Sequence, residues 1–329
     1  MSGQARPAVL VTGGAGYIGS HTAKALKQAG FLPVTLDNLS RGHRDAAAFG
    51  PFVGADAGDE ASVRSAIREW DAQAVLHFAA FAYVDESVRN PGLYFRNNVA
   101  EMERLLSAAT AEGIGKFVFS SSCTVYGLPD RAPVDEEFPL RALSPYGETK
   151  LIGERMLHWF GGATGLKHVA LRYFNASGAD PEGELGERHE PETHLIPNVI
   201  RAALGTGPAL KVFGTDYATP DGTAIRDYVH VSDLADAHVK AVQYLLDGGE
   251  SIAANLGSEI GHSVLSVIGE VARLTGRDVP HTLEPRRPGD AESLFASAAR
   301  AKSVLGWTPS RSDLTTICRT AVDWEMRQR

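Results

Sequence analysis

Residues 8–22 read AVLVTGGAGYIGSHT. An apolar run leads into four glycines, Gly13, Gly14, Gly16 and Gly19, and then into a stretch of helical composition. An apolar run of this length, with little polar alternation, reads as a strand buried on both faces of a parallel sheet. Glycines spaced G-x-x-G-x-x-G let the chain turn tightly and bring its backbone close to a pyrophosphate. The helix that follows offers free N–H groups and a partial positive charge. The stretch therefore reads as strand, dinucleotide loop and helix.

The same punctuation recurs downstream. Apolar runs at 32–37, 74–79, 116–121 and 168–174 alternate with helical stretches at 20–29, 61–70, 98–111 and 146–160, and Gly30 stands where the first helix needs a C-cap. This alternation predicts an α/β fold built on a doubly wound parallel sheet, the Rossmann arrangement. Between 176 and 225 glycine, proline and charged residues interrupt the repeat. A helix at Val231–Leu246 and a strand at Ile252–Leu256 then rejoin the sheet, and the remainder reads as irregular segments with two or three helices. The expectation is a dinucleotide domain of residues 1–175 plus roughly 226–256. A smaller mixed α/β substrate domain of roughly 176–225 plus 257–329 would be interleaved with it.

Composition narrows the function. The 329 residues are 43% hydrophobic and 22% charged, as in an ordinary globular protein with a sizeable core. With 32 basic against 40 acidic residues the net charge is −8, which argues against a nucleic-acid partner. Cys123 and Cys318 share no CxxC spacing, so neither a disulfide framework nor a zinc site is expected, and a reducing, cytoplasmic setting fits. No apolar run approaches the ~20 residues that cross a bilayer, and the start lacks a signal-peptide pattern, so no membrane partner is expected. No metal is expected either: His189 and His194 lie among acids without HExxH spacing. His77 reads as a core histidine, and Trp159 and Trp307 as core or edge packing.

Three features carry chemistry. Asp37 follows the second strand, 18 residues beyond Gly19, where an acid binds ribose hydroxyls and repels a 2′-phosphate. That favours NAD over NADP, with Arg41 nearby as the counter-signal. Tyr146 and Lys150 stand four apart at the start of a helix and share one face. An ammonium beside the phenol, with a cationic nicotinamide, would bring the tyrosine from ~10 towards neutrality and make it a general base. The run Ser120–Ser121–Ser122–Cys123–Thr124 lies at the carboxyl end of a strand, where open α/β sheets bind ligands. A hydroxyl there can bond a substrate alcohol. Ser, Tyr and Lys behind a dinucleotide loop form a hydride-transfer set.

On these residues the chain resembles the extended short-chain dehydrogenase/reductase family, and within it the nucleotide-sugar 4-epimerases. The likeness runs nearly end to end through VTGGAGYIGSHT, DNLS, VLHFAA, DESV, NNV, FSSSCTVYG, SPYGETK, LRYFNASGAD, HLIP, VFGTDYATPDGTAIRDYVHVSDLADAH, NLG and RRPGD, and residues 213–238 are its most specific part. The resemblance implies epimerisation of a UDP-hexose, UDP-galactose to UDP-glucose, through a 4-keto intermediate with NAD bound throughout. It places Tyr17 and Ile18 at the pyrophosphate, Asp37 and Asn38 at the adenosine ribose, and Asp56 and Ala57 at the adenine. Phe78, Ala79, Ala80, Asn98, Lys150 and Phe174 complete the cofactor site. For the sugar nucleotide it implies Ser122, Tyr146, Asn175, His194, Leu195, Lys211, Val212, Phe213, Arg226, Arg287 and Asp290. Leu294 would be the gate that screens the sugar 2-substituent. The absence of an acid after Thr124 disfavours elimination chemistry.

Two other readings stay open: a UDP-pentose or UDP-uronate 4-epimerase, and a non-catalytic dinucleotide sensor. The resemblance also implies a homodimer through the helices carrying Leu105, Leu106, Leu151, Ile152 and Met156. On periodicity alone, burial of both faces within one chain serves equally well.

Overall fold

The computed structural model describes residues 6–287 and 290–328. Strands β1 (Ala8–Thr12), β2 (Leu32–Leu36), β3 (Phe52–Val53), β4 (Ala72–His77), β5 (Lys116–Ser120) and β6 (Lys167–Tyr173) come in the first half. They are followed by β7 (Asn175–Ser177), β8 (Leu210–Phe213), β9 (Ile225–His230), β10 (Ile252–Leu256), β11 (Gly261–Ser263), β12 (His281–Glu284) and β13 (Ser293–Leu294). Seven strands form one parallel sheet in the order β10-β6-β5-β4-β1-β2-β3. The order reverses direction between β1 and β4, which opens the crevice where such sheets bind dinucleotides.

Helices α1 (Tyr17–Gln28), α2 (Glu60–Trp70), α3 (Val84–Arg89), α4 (Pro91–Tyr94), α5 (Glu101–Ala111), α6 (Pro145–Thr164), α7 (Leu195–Leu204), α8 (Val231–Leu246), α9 (Val264–Thr275), α10 (Ala299–Leu305) and α11 (Leu314–Arg327) cover the sheets. On one face of the large sheet α1, α8 and α10 pack Leu26, Leu234, Ala237, Val242 and Leu305 against Val9, Val11 and Leu76. On the other, α2, α5 and α6 pack Ile67, Leu105, Leu106 and Leu157 against Leu10, Val75 and Phe117. Each fully buried leucine or valine contributes ~1.5–3 kcal/mol. This is why both faces of β1 and β4 are apolar and no alternation is visible in the sequence.

The helix expected at 98–111 begins earlier and is not uniform. Pro91–Tyr94 runs into a π-turn at Phe95–Ala100 and then into Glu101–Ala111. The first helix starts at Tyr17, three residues before the expected 20.

The second lobe surrounds β9, which pairs with β7 and β13 in parallel and with β11 antiparallel. A separate parallel pair joins β8 and β12. Helices α7, α9 and α11 close over it with Val199, Ile200, Val267, Val271 and Ile317. The chain returns to the large sheet's layer with α8 and β10, and β9 itself stays in the small sheet. Asp233 at the head of α8 holds the tail of the chain in place. Its carboxylate accepts the Ser310 and Arg311 amides at 3.0 and 2.8 Å and the Ser312 hydroxyl at 2.7 Å.

Candidate active site

The carboxyl ends of β1, β2, β4, β5 and β6 meet on one side of the large sheet. Gly13 follows β1 with φ +73°, and a Cβ there would lie 2.5 Å from the Ala79 amide nitrogen. A Cβ on Gly19 would lie 2.2 Å from the Gly13 carbonyl oxygen. The loop, α1 and the end of β4 thus approach backbone to backbone, which any side chain would prevent. Gly16 caps α1 without a side-chain hydrogen bond, and the first turn carries no acid. An uncapped helix N-terminus behind a glycine cradle fits the pyrophosphate of NAD.

Tyr17 and Ile18 begin that helix, and the Tyr17 phenol donates to the Gly178 carbonyl at 2.6 Å. Asp37, buried just beyond β2, accepts the Ala15 amide at 2.9 Å and the Leu39 amide at 2.8 Å. Burial raises its pKa, opposed by those two amides. Arg41 is bound by both carboxylate oxygens of Glu86 at 3.0 Å and stacks on Tyr83 and Phe81. That guanidinium is therefore already engaged by an acid of its own. Asn38 donates to Asp56 at 2.6 Å, and Ala57 is buried beside them in sequence. The Phe78 and Ala79 amides both donate to the Thr12 carbonyl, at 2.9 and 3.2 Å, which ties the start of the loop that continues into Ala80 to the end of β1. Asn98, inside the π-turn, holds the Phe81 amide and carbonyl and the Thr149 hydroxyl, bracing the β4 loop against α6. Phe174 is buried below with Val125 and Leu151.

The three serines beyond β5 have three different partners. Ser120 pairs with the Tyr173 hydroxyl. Ser121 donates to Glu154 at 2.6 Å. Glu154 takes a two-pronged bond from Arg172 at 2.9 and 2.6 Å, Arg172 donates to Tyr126, and Tyr126 donates to Asn255 at 2.7 Å. Ser122 accepts the Thr124 amide and hydroxyl at 3.2 and 3.0 Å, and its hydroxyl is near enough to the Tyr146 phenol to lower that group's pKa. Only Ser122 of the three therefore reaches the tyrosine.

Ser144 caps α6 by accepting the Gly147 amide at 3.1 Å, and Pro145 takes the first helical position, which sets Tyr146 at the helix entrance. Lys150 donates to the Ser120 carbonyl at 2.7 Å, and its Nζ lies 5.9 Å from the Tyr146 ring centre. Burial pushes the phenol up to about 12, against the opposing influence of the nearby Ser122 hydroxyl. Burial alone pulls the amine down to about 7. The shared helix face is there, but the amine is held by a carbonyl and neither group meets an opposite charge.

On the second lobe, Arg226 donates to the Ile225 and Ala291 carbonyls at 2.8 Å and lies 3.6 Å from Asp290. Arg287 stacks over Phe213 at 3.9 Å, and the Asp290 amide donates to the Arg287 carbonyl. Leu294 stands in register with Arg226. Asn175 donates to the Asp227 carbonyl at 2.7 Å, joining β7 to the same strand. Arg226, Arg287, Asp290, Phe213 and Leu294 thus gather on one rim.

Two expected residues do not present their side chains there. Val212 points into the helical core, because neighbours along β8 alternate and Lys211 and Phe213 take the other face. His194 caps α7 ahead of Leu195, but its imidazole is held by Glu187 at 2.7 Å and Glu192 at 2.9 Å. Trp159 is also corrected: at 73% exposure it is neither core nor edge packing. His77 and Trp307 are buried as expected, bonded to Thr12 and to the Asp233 carbonyl.

The Glu154–Arg172–Tyr126–Asn255 network was not found from sequence. Its signal was Arg172 inside the apolar run LRYF, since a buried arginine requires an acid.

Residues 9–257 match the family described as NAD dependent epimerase/dehydratase. The chain is similar to the UDP-glucose 4-epimerase of Rhizobium leguminosarum bv. trifolii, 49% identical over 97% of either chain. It superposes on the crystal structure of UDP-glucose 4-epimerase from Brucella ovis in complex with NAD with a TM-score of 0.95 and 51% identity, covering 96% of this chain and 98% of that one. The Stenotrophomonas maltophila UDP-glucose 4-epimerase, solved with bound NAD and formylated UDP-arabinopyranose, gives a TM-score of 0.94 at 41% identity over 98% of either chain.

Proposed function

Because the chain belongs to the NAD dependent epimerase/dehydratase family, we propose that Tyr146 is its acid–base residue, with Ser122 and Lys150 as partners. The protein is an NAD-dependent enzyme that epimerises a UDP-hexose at the 4-position. The observation that carries the assignment of residues is that the Ser122 hydroxyl, at the carboxyl end of β5, stands close enough to the Tyr146 phenol to lower its pKa, while Lys150 on the same helix is tied to the Ser120 carbonyl.

The cradle at Gly13, Gly16 and Gly19 would hold the cofactor's pyrophosphate on the α1 N-terminus. Asp37 and Asn38 would hold its ribose, and Asp56 and Ala57 would lie at the adenine. NAD, when bound, would supply the hydride acceptor and donor for the sugar carbon and the positive charge of its oxidised ring. Tyr146 would take the proton of the sugar 4-hydroxyl and later return it, with Ser122 ordering that hydroxyl and relaying the proton. Lys150, fixed on the Ser120 carbonyl, supplies the positive field that the isolated phenol lacks. Inverting the carbon requires the 4-keto sugar to show its other face to the same tyrosine. The diphosphate must therefore be held while the sugar turns. Arg226 and Arg287 suit that task, because guanidinium forks match phosphate oxygens. Phe213, Lys211 and Leu195 would line the uridine side, and Leu294 would screen the sugar.

The same reading divides the labour between the lobes, NAD on the large sheet and UDP-sugar on the small one. It pairs two chains through α5 and α6, where Trp159 on α6 is exposed, as are Leu143 and Phe95 in the segments leading into the two helices. A monomeric mass by light scattering at micromolar concentration refutes the dimer. Cys123 and Cys318 are both free thiols, which supports a reducing, cytoplasmic setting; separately, no helix among the described residues is long and apolar enough to cross a membrane.

The test is conversion of UDP-galactose to UDP-glucose by purified protein with no NAD added. Conversion is the expected result and means that the cofactor travels with the chain. Turnover only of a UDP-pentose or UDP-uronate shifts the substrate. That second reading draws on the pentose nucleotide in the Stenotrophomonas structure. No turnover of any sugar after NAD is supplied leaves the dinucleotide sensor.

A further inference from the structure

The loop before α7 folds four donor side chains onto one point that includes none of Ser122, Tyr146 and Lys150. They are Glu187, His189, Glu192 and His194, spaced E-x-H-x-x-E-x-H. One donor atom from each lies within 4.8 Å of all the others. His194 Nδ1 is 2.7 Å from Glu187 Oε1 and 2.9 Å from Glu192 Oε1. His189 Nδ1 is 3.0 Å from Glu187 Oε1 and 3.7 Å from Glu192 Oε2. Around a tetrahedral Zn²⁺ with bonds of ~2.0–2.1 Å, ligand atoms stand ~3.3–3.4 Å apart. The observed separations straddle that value.

A second observation points to a ligand. Glu192 Oε2 is buried with no hydrogen-bond partner, on a side chain only 1% exposed. A set of ion pairs alone would spread its donors over the carboxylate oxygens. Here Glu187 Oε1 faces both imidazoles while Glu192 Oε2 receives none within hydrogen-bond distance. A cation between the four groups would answer that oxygen and both Nδ1 atoms at once.

We propose that Glu187, His189, Glu192 and His194 form a structural Zn²⁺ site, closed by four protein ligands. The site is empty in this structure. His194, 44% exposed at its side chain, gives the ion a way in. Binding displaces the protons that the imidazoles otherwise share with the carboxylates.

The position explains what the ion would do. The Arg188 carbonyl bonds His43 at 3.1 Å, and the Arg188 guanidinium grips Asp45 at 2.9 and 2.8 Å, both residues of the segment after β2. The Glu187 carbonyl accepts from Trp324 on α11 at 3.2 Å, and His189 sits edge-on to Tyr17 at the head of α1. The loop is therefore a seam between the cofactor lobe and the helices of the second lobe, and zinc would fasten it.

The experiment strips the full-length protein with a chelator, dialyses it against ZnCl₂ and counts metal by mass spectrometry. One Zn²⁺ per chain is expected, with a rise in melting temperature on loading. In His189→Gln and Glu192→Gln that rise should vanish and affinity should fall at least ~100-fold, since losing even an outer-shell partner costs ~10–100-fold. No stoichiometric uptake by the native chain overturns the proposal, as does unchanged affinity in both variants. If the variants do not fold, Co²⁺ loading of the native chain decides. An intense tetrahedral visible spectrum without thiolate charge transfer supports the site. A weak octahedral spectrum, or thiolate bands from Cys123 or Cys318, overturns it.

Discussion

Two buried groups of ionisable residues sit in the seam of this molecule and have opposite electrostatic fates. At the Ser122–Tyr146–Lys150 centre no carboxylate faces the amine, and burial drives the phenol up to about 12 and the amine down to about 7. In the 187–194 loop burial pushes the same way, but acid meets base. The carboxyls of Glu187 and Glu192 are held below their usual range, and His189 and His194 are raised to about 9 and about 10. Desolvation without a counter-charge favours the neutral forms, so the phenol keeps its proton until a cation arrives, while the amine titrates near neutral pH. Desolvation with one makes fixed charges, which suits a brace.

The sharpest way to break the contrast is Tyr146→Phe. If the phenol is the proton acceptor, turnover of UDP-galactose falls on the order of 10²–10⁴-fold. Its hydroxyl contributes no ion pair, so the melting temperature and the NAD content measured on the purified variant should stay near wild type. Retained turnover would remove Tyr146 from the chemistry.

Next in size is Arg172→Met, which belongs to the paired class. Arg172 and Glu154 are 5% and 10% exposed, and removing one partner leaves the other charge buried. A loss of about 3–5 kcal/mol in urea unfolding is expected, largely recovered in the double variant with Glu154→Met. A smaller effect belongs to Ser121→Ala. That hydroxyl bonds the Glu154 carboxylate, so its loss should cost about 1.5–3 kcal/mol of stability with little change in turnover. A large loss of turnover instead would mean that Ser121, not Ser122, serves the substrate.

How much of this was legible follows from which forces act locally. The large sheet was visible because each of its central strands is buried on both faces and each loop is punctuated by glycine, as at Gly13 and Gly30. Asp37 and Ser122, just beyond β2 and β5, and Tyr146, at the head of α6, take the positions in the fold that the sequence pattern gives them. The two-residue β3 was invisible, being too short for any period to show. Val212 was misjudged because a motif names neighbours together, while strand alternation sends them to opposite faces. The 187–194 cluster lacks a recognised metal spacing and is assembled by a loop whose path depends on Arg188, His43 and Trp324, far apart in sequence. Partners of that kind are set by tertiary packing, not by local pattern.

The smallest effect expected is a difference in slope, and it tests the contrast most directly. In chain stripped of metal and cofactor, Lys150 titrates near 7 when folded and near 10.5 when unfolded. Between those values the unfolded state binds more protons, so this group makes stability rise with pH. His189 and His194 are the reverse. Their folded values of about 9 and about 10 exceed the unfolded 6.5, so their contribution is complete below 6.5 and is lost as pH rises through the folded values. Over the window from about 7 to about 9 the two sites therefore pull the melting temperature in opposite directions. Lys150→Met should steepen the alkaline loss and His189→Gln should flatten it, read from thermal melts across that window. His189 is the better probe of the two histidines, because the more exposed His194 is screened by water. Slopes that move in the same direction in both variants would mean that the lysine carries a counter-charge after all, and that the catalytic centre is held together in the same way as the brace.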